Sequence, residues 1–324
     1  MTTAPVELVH VRRSGLHEGT HYGSVVITAA DGSVEFARGD VTTPMFPRSS
    51  NKPFQAVAML AGGADLHDAD LALAAASHSG EPMHVDRVFA MLERAGLTED
   101  DLGCPPALPL NDTAREAALL AGDRARRVFM NCSGKHAGML TACVRSGWST
   151  ADYLDPDHPL QRLVVQTVAR LCREEPAAVG IDGCGAPLFA VSLTALARGF
   201  GAAAAAAADT PERRVTDAMR AYPQMVGGTG RDDTRLMTAV PGLLAKGGAE
   251  GVHCAALPDG RCVAIKITDG GDRARMPVLV AALRTMGVTP ATPQAAAQLD
   301  EFAVGQVMGG GEPVGTISVP TGLF

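Results

Sequence analysis

Aromatic side chains are scarce in this chain of 324 residues, at 4% of the total, with one Trp and three Tyr. A core without large rings has to be assembled from small aliphatic side chains, and the surface lacks the stacking platforms on which single-stranded nucleic acid is read. Positive charge is also short. Lys and Arg number 28 against 35 Asp and Glu, the formal charge is −7, and no basic stripe runs along any segment. These features exclude nucleic acid and anionic membrane as expected partners. No apolar run approaches the ~20 residues that a bilayer-spanning helix needs. The stretch Met1–Glu7 lacks a basic region followed by an apolar one, so a cytoplasmic protein is expected. Seven cysteines, an odd count, fit a reducing compartment and free thiols better than a disulfide framework.

What is present, 46% hydrophobic and 19% charged residues, is ordinary globular composition. Strands are expected at Glu7–Arg13, Tyr22–Ala30 and Val34–Arg38, the last two joined by the turn Asp31-Gly32-Ser33. Helical spacing is found next at Pro53–Leu60, Asp68–Ala76, Met83–Ala95, Thr113–Ala121, Lys135–Ser146, Pro159–Glu174, Leu188–Arg198, Pro211–Tyr222 and Asp233–Val240. The alanine run Ala202–Ala208 reads as a loop leading into a helix start. Strands return at Gly251–Leu257 and Arg261–Thr268 around Pro258-Asp259-Gly260, and a long helix comes after them at Asp272–Met286. This order predicts an α+β fold: an antiparallel sheet built from both chain ends (about 1–45 and 245–324) with a helical lobe (about 50–240) inserted between them.

Five stretches carry candidate chemistry. Ser49-x-x-Lys52 enters a helix after Pro44 and Pro47, and a spacing of three places hydroxyl and amine on one helix face near the helix N-terminus. A lysine with a lowered pKa can take the proton of such a serine, whereas capping of the helix is the simpler use of the hydroxyl. Ser77-His78-Ser79 closes an apolar helix, either as a reactive loop or as ordinary capping. Asn131-Cys132-Ser133-Gly134-Lys135-His136 lacks the spacing of a phosphate-binding loop. With Asp182-Gly183-Cys184 it offers soft and borderline zinc ligands, two plain buried thiols, or a disulfide. Lys266, in Val263-Ala264-Ile265-Lys266-Ile267, is either solvent-facing on an alternating strand or a buried amine.

In this order these stretches resemble the asparaginase II-type family, the class 3 L-asparaginases. The likeness continues through Pro223–Val226, Gly230-Arg231, Lys246–Gly251 and Ala264–Gly270, and it spans roughly Glu7 to Val288. It implies a serine-β-lactamase/glutaminase-like fold and hydrolysis of L-asparagine to aspartate and ammonia by Ser-Lys acyl-enzyme chemistry. By the same resemblance Ser49 with Lys52 is one tandem and Ser77 with Lys266 a second. Arg48, His136 and Asp182 would bind substrate. Cys132, Lys135 and Cys184 would hold a zinc ion that tunes affinity, with no organic cofactor, in a homodimer. The alternatives are a β-lactamase or penicillin-recognising acyl-transferase, although S-D-N and K-[ST]-G elements are missing, and a non-catalytic zinc- or amino-acid-binding protein.

Overall fold

The computed structural model of the chain describes residues 4–324. It opens with β1 (Val6–Arg13), β2 (Leu16–Thr28) and β3 (Val34–Arg38). The helical run holds α1 (Lys52–Ala61), α2 (Asp68–Ala74), α3 (Pro82–Arg94), α4 (Asp112–Leu120), α5 (Ser133–Ser146) and α6 (Pro159–Cys172). A short hairpin, β4 (Ala178–Ile181) and β5 (Pro187–Ala190), precedes α7 (Leu193–Ala204), α8 (Pro211–Ala221), α9 (Pro223–Val226) and α10 (Asp232–Ala239). The chain then returns to the sheet through β6 (Leu244–Gly247), β7 (Val252–Ala256) and β8 (Cys262–Ile267). It crosses by α11 (Arg275–Thr285) and α12 (Pro293–Ala303) and closes with β9 (Val304–Gly309) and β10 (Glu312–Ser318).

The large sheet runs β6-β7-β8-β2-β1-β10-β9 and every pairing in it is antiparallel. β2 changes partner along its length: up to Gly23 it pairs with β1, and from Val25 onward β3 takes that side. The fold is therefore α+β, with sheet strands drawn from residues 6–38 and 244–318 and the helices between β3 and β6 connecting them. Among the described residues no helix is long and apolar enough to cross a membrane.

Two local expectations differ. Leu188–Arg198 is not one helix: Pro187–Ala190 is a fully buried strand, and the helix begins after Ser192, whose hydroxyl accepts from the Ala195 N–H at 3.0 Å. A run that is apolar at every position carries no period, so only the capping serine marks the boundary. α7 then continues into the alanine run as far as Ala204, beyond the loop expected there.

Helix α5 contributes three groups to the buried polar cluster: its N-terminal end carries Cys132, Lys135 and His136, all buried. It approaches its neighbours on a glycine face. A Cβ at Gly134 would stand 2.5 Å from a Leu73 side-chain carbon and 2.7 Å from the Leu73 carbonyl, and one at Gly138 would stand 2.9 Å from Ala74 Cβ and from Met59 Sδ. Gly134→Ala improves helix propensity by about 1 kcal/mol yet overpacks the contact with α2, which costs about 1–3 kcal/mol. Urea unfolding should therefore show a lower midpoint for Gly134→Ala; an unchanged or higher midpoint would show that the close approach is not required.

Candidate active site

Burial dictates the layout of the site. Lys52, Lys135 and Lys246 are each 1% exposed. A buried ammonium is costly unless acceptors or anions surround it, and each of the three has found them.

Lys52 opens α1, just after a 3₁₀ turn, Arg48–Asn51, that carries Ser49. Its Nζ donates to the Ala76 carbonyl, to Ser77 Oγ (2.9 Å) and to Cys132 Sγ (3.0 Å). Three donors meet three acceptors, so Lys52 ties α1 to the loop after α2 and to the turn before α5. Ser77 is itself fixed by its backbone: its N–H donates to the Val226 carbonyl at 3.0 Å, and the next N–H, of His78, donates to the Asn131 carbonyl at 3.1 Å. The i,i+3 partner expected from the sequence, Ser49, makes no hydrogen bond through its hydroxyl among the described residues and lines the adjacent cavity.

Arg48, immediately before Ser49, has φ of +52°, a left-handed conformation that costs a non-glycine residue about 1–2 kcal/mol. Its side chain anchors that geometry by donating from Nε to Asp182 Oδ1 at 2.8 Å. Burial pushes the Asp182 carboxyl up, but the Arg48 guanidinium and the Lys135 charge outweigh it and hold the group below its ordinary range. A strained backbone kept in place by a half-buried ion pair beside a free hydroxyl is the kind of outlier that clusters at functional sites.

Behind Lys52 lies the sulfur cluster. Lys52 Nζ reaches Cys132 Sγ, Lys135 Nζ donates to Cys184 Sγ at 2.9 Å, and the two thiols are near enough to shift each other's titration. The pull of Cys184 lowers the Cys132 thiol well below its usual value against burial, while Cys132 and burial together raise that of Cys184. Burial works against the Lys135 charge, but the two sulfurs overcome it and raise the amine. His136 Nδ1 meets Tyr153 Oη at 2.6 Å, while its Nε2 is buried without a conventional partner and faces the Cys184 sulfur. No group of three His, Cys, Asp or Glu side chains is arranged to hold a metal among the described residues. A deprotonated Lys135 amine would be the third donor beside the two cysteines, and Asp182 stands next to them with Oδ2 3.8 Å from Cys184 Sγ. Once deprotonated, two cysteine sulfurs with a nitrogen and a carboxylate nearby are a donor set that suits zinc, and His136 Nε2 is a buried nitrogen beside them without a conventional hydrogen bond.

A cavity of about 410 Å³ opens beside Ser77, the residue whose hydroxyl Lys52 holds, within the size range of small-ligand sites. Ser49, Ser77, Asn131, Arg231, Lys246 and Arg275 are among its lining residues. Lys246 was not among the expected site residues. It sits on β6, where its Nζ donates to Asp233 Oδ2 at 2.9 Å and to the Gly247 carbonyl at 2.7 Å, and where burial lowers its pKa. Lys266, expected to pair with Ser77, is not brought to it. Its Nζ is held by the Glu250 and Ile267 carbonyls instead, and Lys266 is not among the residues lining the cavity with Ser77. The lysine that does share the cavity with Ser77 lies in a four-residue strand whose residues are all buried, too short to show a period. Its signal in the sequence was the Lys246-Gly247-Gly248 run.

Burial holds His136 at about 4, against an ordinary 6.5. The unfolded chain therefore takes up this proton first, and the stability present above pH 6.5 is lost as pH falls toward 4, by up to ~3 kcal/mol for this group. His78, His84 and His253 are shifted down in the same way. Denaturant unfolding at pH 7 and pH 4.5 should show a shallower pH dependence in His136→Gln than in the parent; parallel slopes would mean that His136 is not held neutral.

Set beside known proteins, the chain is similar over most of its length to Mglu in its native form. The identity is 16%, covering 84% of this chain and 65% of that one, with a TM-score of 0.46. It thus spans just under two thirds of the Mglu chain. It is also similar to a β-lactamase from Mycobacterium bovis, at 14% identity over 82% and 95% of the two chains with a TM-score of 0.38. EstCE1, a hydrolase with promiscuous acyltransferase activity, aligns at 14% identity over 87% and 93% with a TM-score of 0.42. The comparison with curated proteins gives no match. The profile of the L-asparaginase II family matches residues 9–319, nearly the whole chain, and the protein belongs to that family.

Proposed function

We propose that the protein is an amidohydrolase acting on L-asparagine through a serine nucleophile, Ser49. The observation that carries this reading is the convergence of two lysine pairs, Lys52 with Ser77 and Lys246 with Asp233, on one cavity where the Ser49 hydroxyl is free. Family membership supports the amide substrate class. Arg231, exposed at the cavity wall with no side-chain hydrogen bond among the described residues, is the group free to take the substrate carboxylate.

In this scheme Lys52 acts as a neutral amine, its resting proton lost to solvent before turnover: Ser49 Oγ attacks the carboxamide carbon, and its proton passes through Ser77 to the Lys52 amine. The tetrahedral intermediate places negative charge in a cavity where Lys246 supplies a fixed positive one. The C–N bond breaks, the proton held by Lys52 goes out with the nitrogen as ammonia, and a β-aspartyl ester remains on Ser49. Water then attacks the ester, giving its proton back along the same path and releasing aspartate.

Ammonia release from L-asparagine should fall at least ~1,000-fold in Ser49→Ala and in Lys52→Ala, as when any member of a nucleophile–base unit is removed. Rapid quenching of turnover in the parent and in Ser77→Ala, with peptide mass spectrometry of the quenched protein, should locate the ester on the Ser49 peptide. Full activity in both first variants would end the proposal, and an ester on Ser77 would exchange the roles of the two serines.

The resident metal proposed for Cys132, Lys135 and Cys184 is zinc, with Asp182 beside it. When bound it would act as a Lewis acid that tunes substrate affinity. Lys135 and Cys184 must release protons to become ligands, so zinc affinity should fall as pH drops. Competition against a chromophoric chelator should show stoichiometric zinc in the parent and binding roughly ten-fold or more weaker in Cys132→Ser and Cys184→Ser. Equal binding in all three would rule out this ligand set.

A further inference from the structure

We propose that Asp233 is the positioning residue for Lys246, gripping the β6 backbone with one carboxylate oxygen and orienting the Lys246 amine toward Ser49 with the other. The inference rests on the reading that Lys246 serves the Ser49 cavity.

The geometry divides the carboxylate cleanly. Oδ1 accepts the Gly247 N–H at 2.8 Å and lies 3.0 Å from His253 Nε2, while Oδ2 accepts Lys246 Nζ at 2.9 Å. The strand register explains why these groups meet: Gly247 stands opposite His253 in the β6–β7 pair, and Asp233, in the first turn of α10, reaches both. Lys246 Nζ also donates to the Gly247 carbonyl at 2.7 Å, so two of its three positions are taken on the protein side. The third is left for the cavity that Ser49 and Ser77 line.

The groups around Lys246 leave Asp233 as its counter-ion. Lys52 and Arg231 are positive and drive the amine toward losing its proton, as burial does. Arg275 reaches the same backbone from the start of α11, donating to the Gly248 carbonyl at 3.3 Å, and pairs loosely with Asp232 (3.5 Å) and Asp272 (3.3 Å). His253, lowered chiefly by burial, is neutral and adds no charge that competes for Asp233. Asp233 itself is held far below the carboxylate range: burial opposes its charge, but Lys246 and then His253 outweigh that. Removing this carboxylate leaves Lys246 among like charges, and its proton departs at lower pH.

Asp233→Asn tests the division, because the amide oxygen can still accept from Gly247 while the charge toward Lys246 is gone. The expected result is a loss in kcat of roughly ten- to a hundred-fold with KM little changed. The alkaline limb of the kcat/KM profile should move to lower pH by about one unit or more, and Asp233→Glu should recover part of both. The direct readout is the titration of Lys246 by ¹³C NMR on protein labelled at the lysine ε-carbon, with the signal assigned by Lys246→Arg. The Lys246 midpoint should fall in Asp233→Asn and stay near the parent in Asp233→Glu. An unchanged midpoint in Asp233→Asn overturns the proposal, as does an activity loss confined to KM with an unshifted pH profile. If Asp233→Asn does not fold, Asp233→Ser makes the same charge test. A parent that releases no ammonia but shows the NMR shift would sink the amidase reading and leave the positioning role standing.

Discussion

Three buried ammonium groups constrain this molecule more than any hydrophobic contact does. Each of Lys52, Lys135 and Lys246 would be expelled to solvent or neutralised if its partners were not in place, so the packing of the surrounding elements is also the assembly of the site. Lys52 needs the loop after α2 and the turn before α5, Lys135 needs the segment that brings Cys184, and Lys246 needs α10. The glycine face of α5 serves the same demand, since without it α2 stands too far off for Ser77 and Cys132 to reach one amine. Stability and function thus draw on the same contacts here.

The two halves of the site differ in electrical character. On the sulfur side the charges are soft and buried: a lowered Cys132 thiol and the Asp182 carboxylate face Lys135 and Lys52. On the cavity side, Lys246, Arg231 and Arg275 face Asp232, Asp233 and Asp272, a nearly balanced wall. A wall with both signs within a few ångströms matches a zwitterion better than a simple anion or a neutral amide. Lys52 stands at the boundary between the two, with one donor on Ser77 and another on Cys132.

Much of this was legible in the sequence, and the omissions have physical reasons. β-Branched alternation and turn residues marked β1 to β3, β7 and β8, and apolar periodicity marked most helices, because each such element is long enough to show its repeat. β6 spans four buried residues and β5 another four, so neither shows alternation. β9, β10 and α12 lie in a tail with few motif residues and no long apolar stretch. Ser49, Lys52, Ser77, Cys132, Lys135 and Cys184 could be picked out because reactive side chains cluster in short polar runs between helices. Asp233 could not, since an acid in the first turn of a helix is what any helix start offers. The residues alone left Lys266 open between a solvent-facing and a buried amine, and only the resemblance paired it with Ser77; which lysine reaches the cavity is settled by strand pairing, which a run of apolar residues does not show.

The pairing of β1 with β10 has a consequence for how the chain reaches this state. Arg12 lies opposite Thr316 and His10 opposite Ser318, so the strand next to the start of the chain takes its second neighbour from some three hundred residues away. Contacts of that sequence separation make folding slow, and until β10 arrives, the open edge of β1 is a template for a strand from another molecule. During synthesis β1 and β2 emerge well before β10 and wait for it. The polar and charged residues spread along β1, Glu7, His10, Arg12 and Arg13, suit an edge that must stay unpaired for that interval.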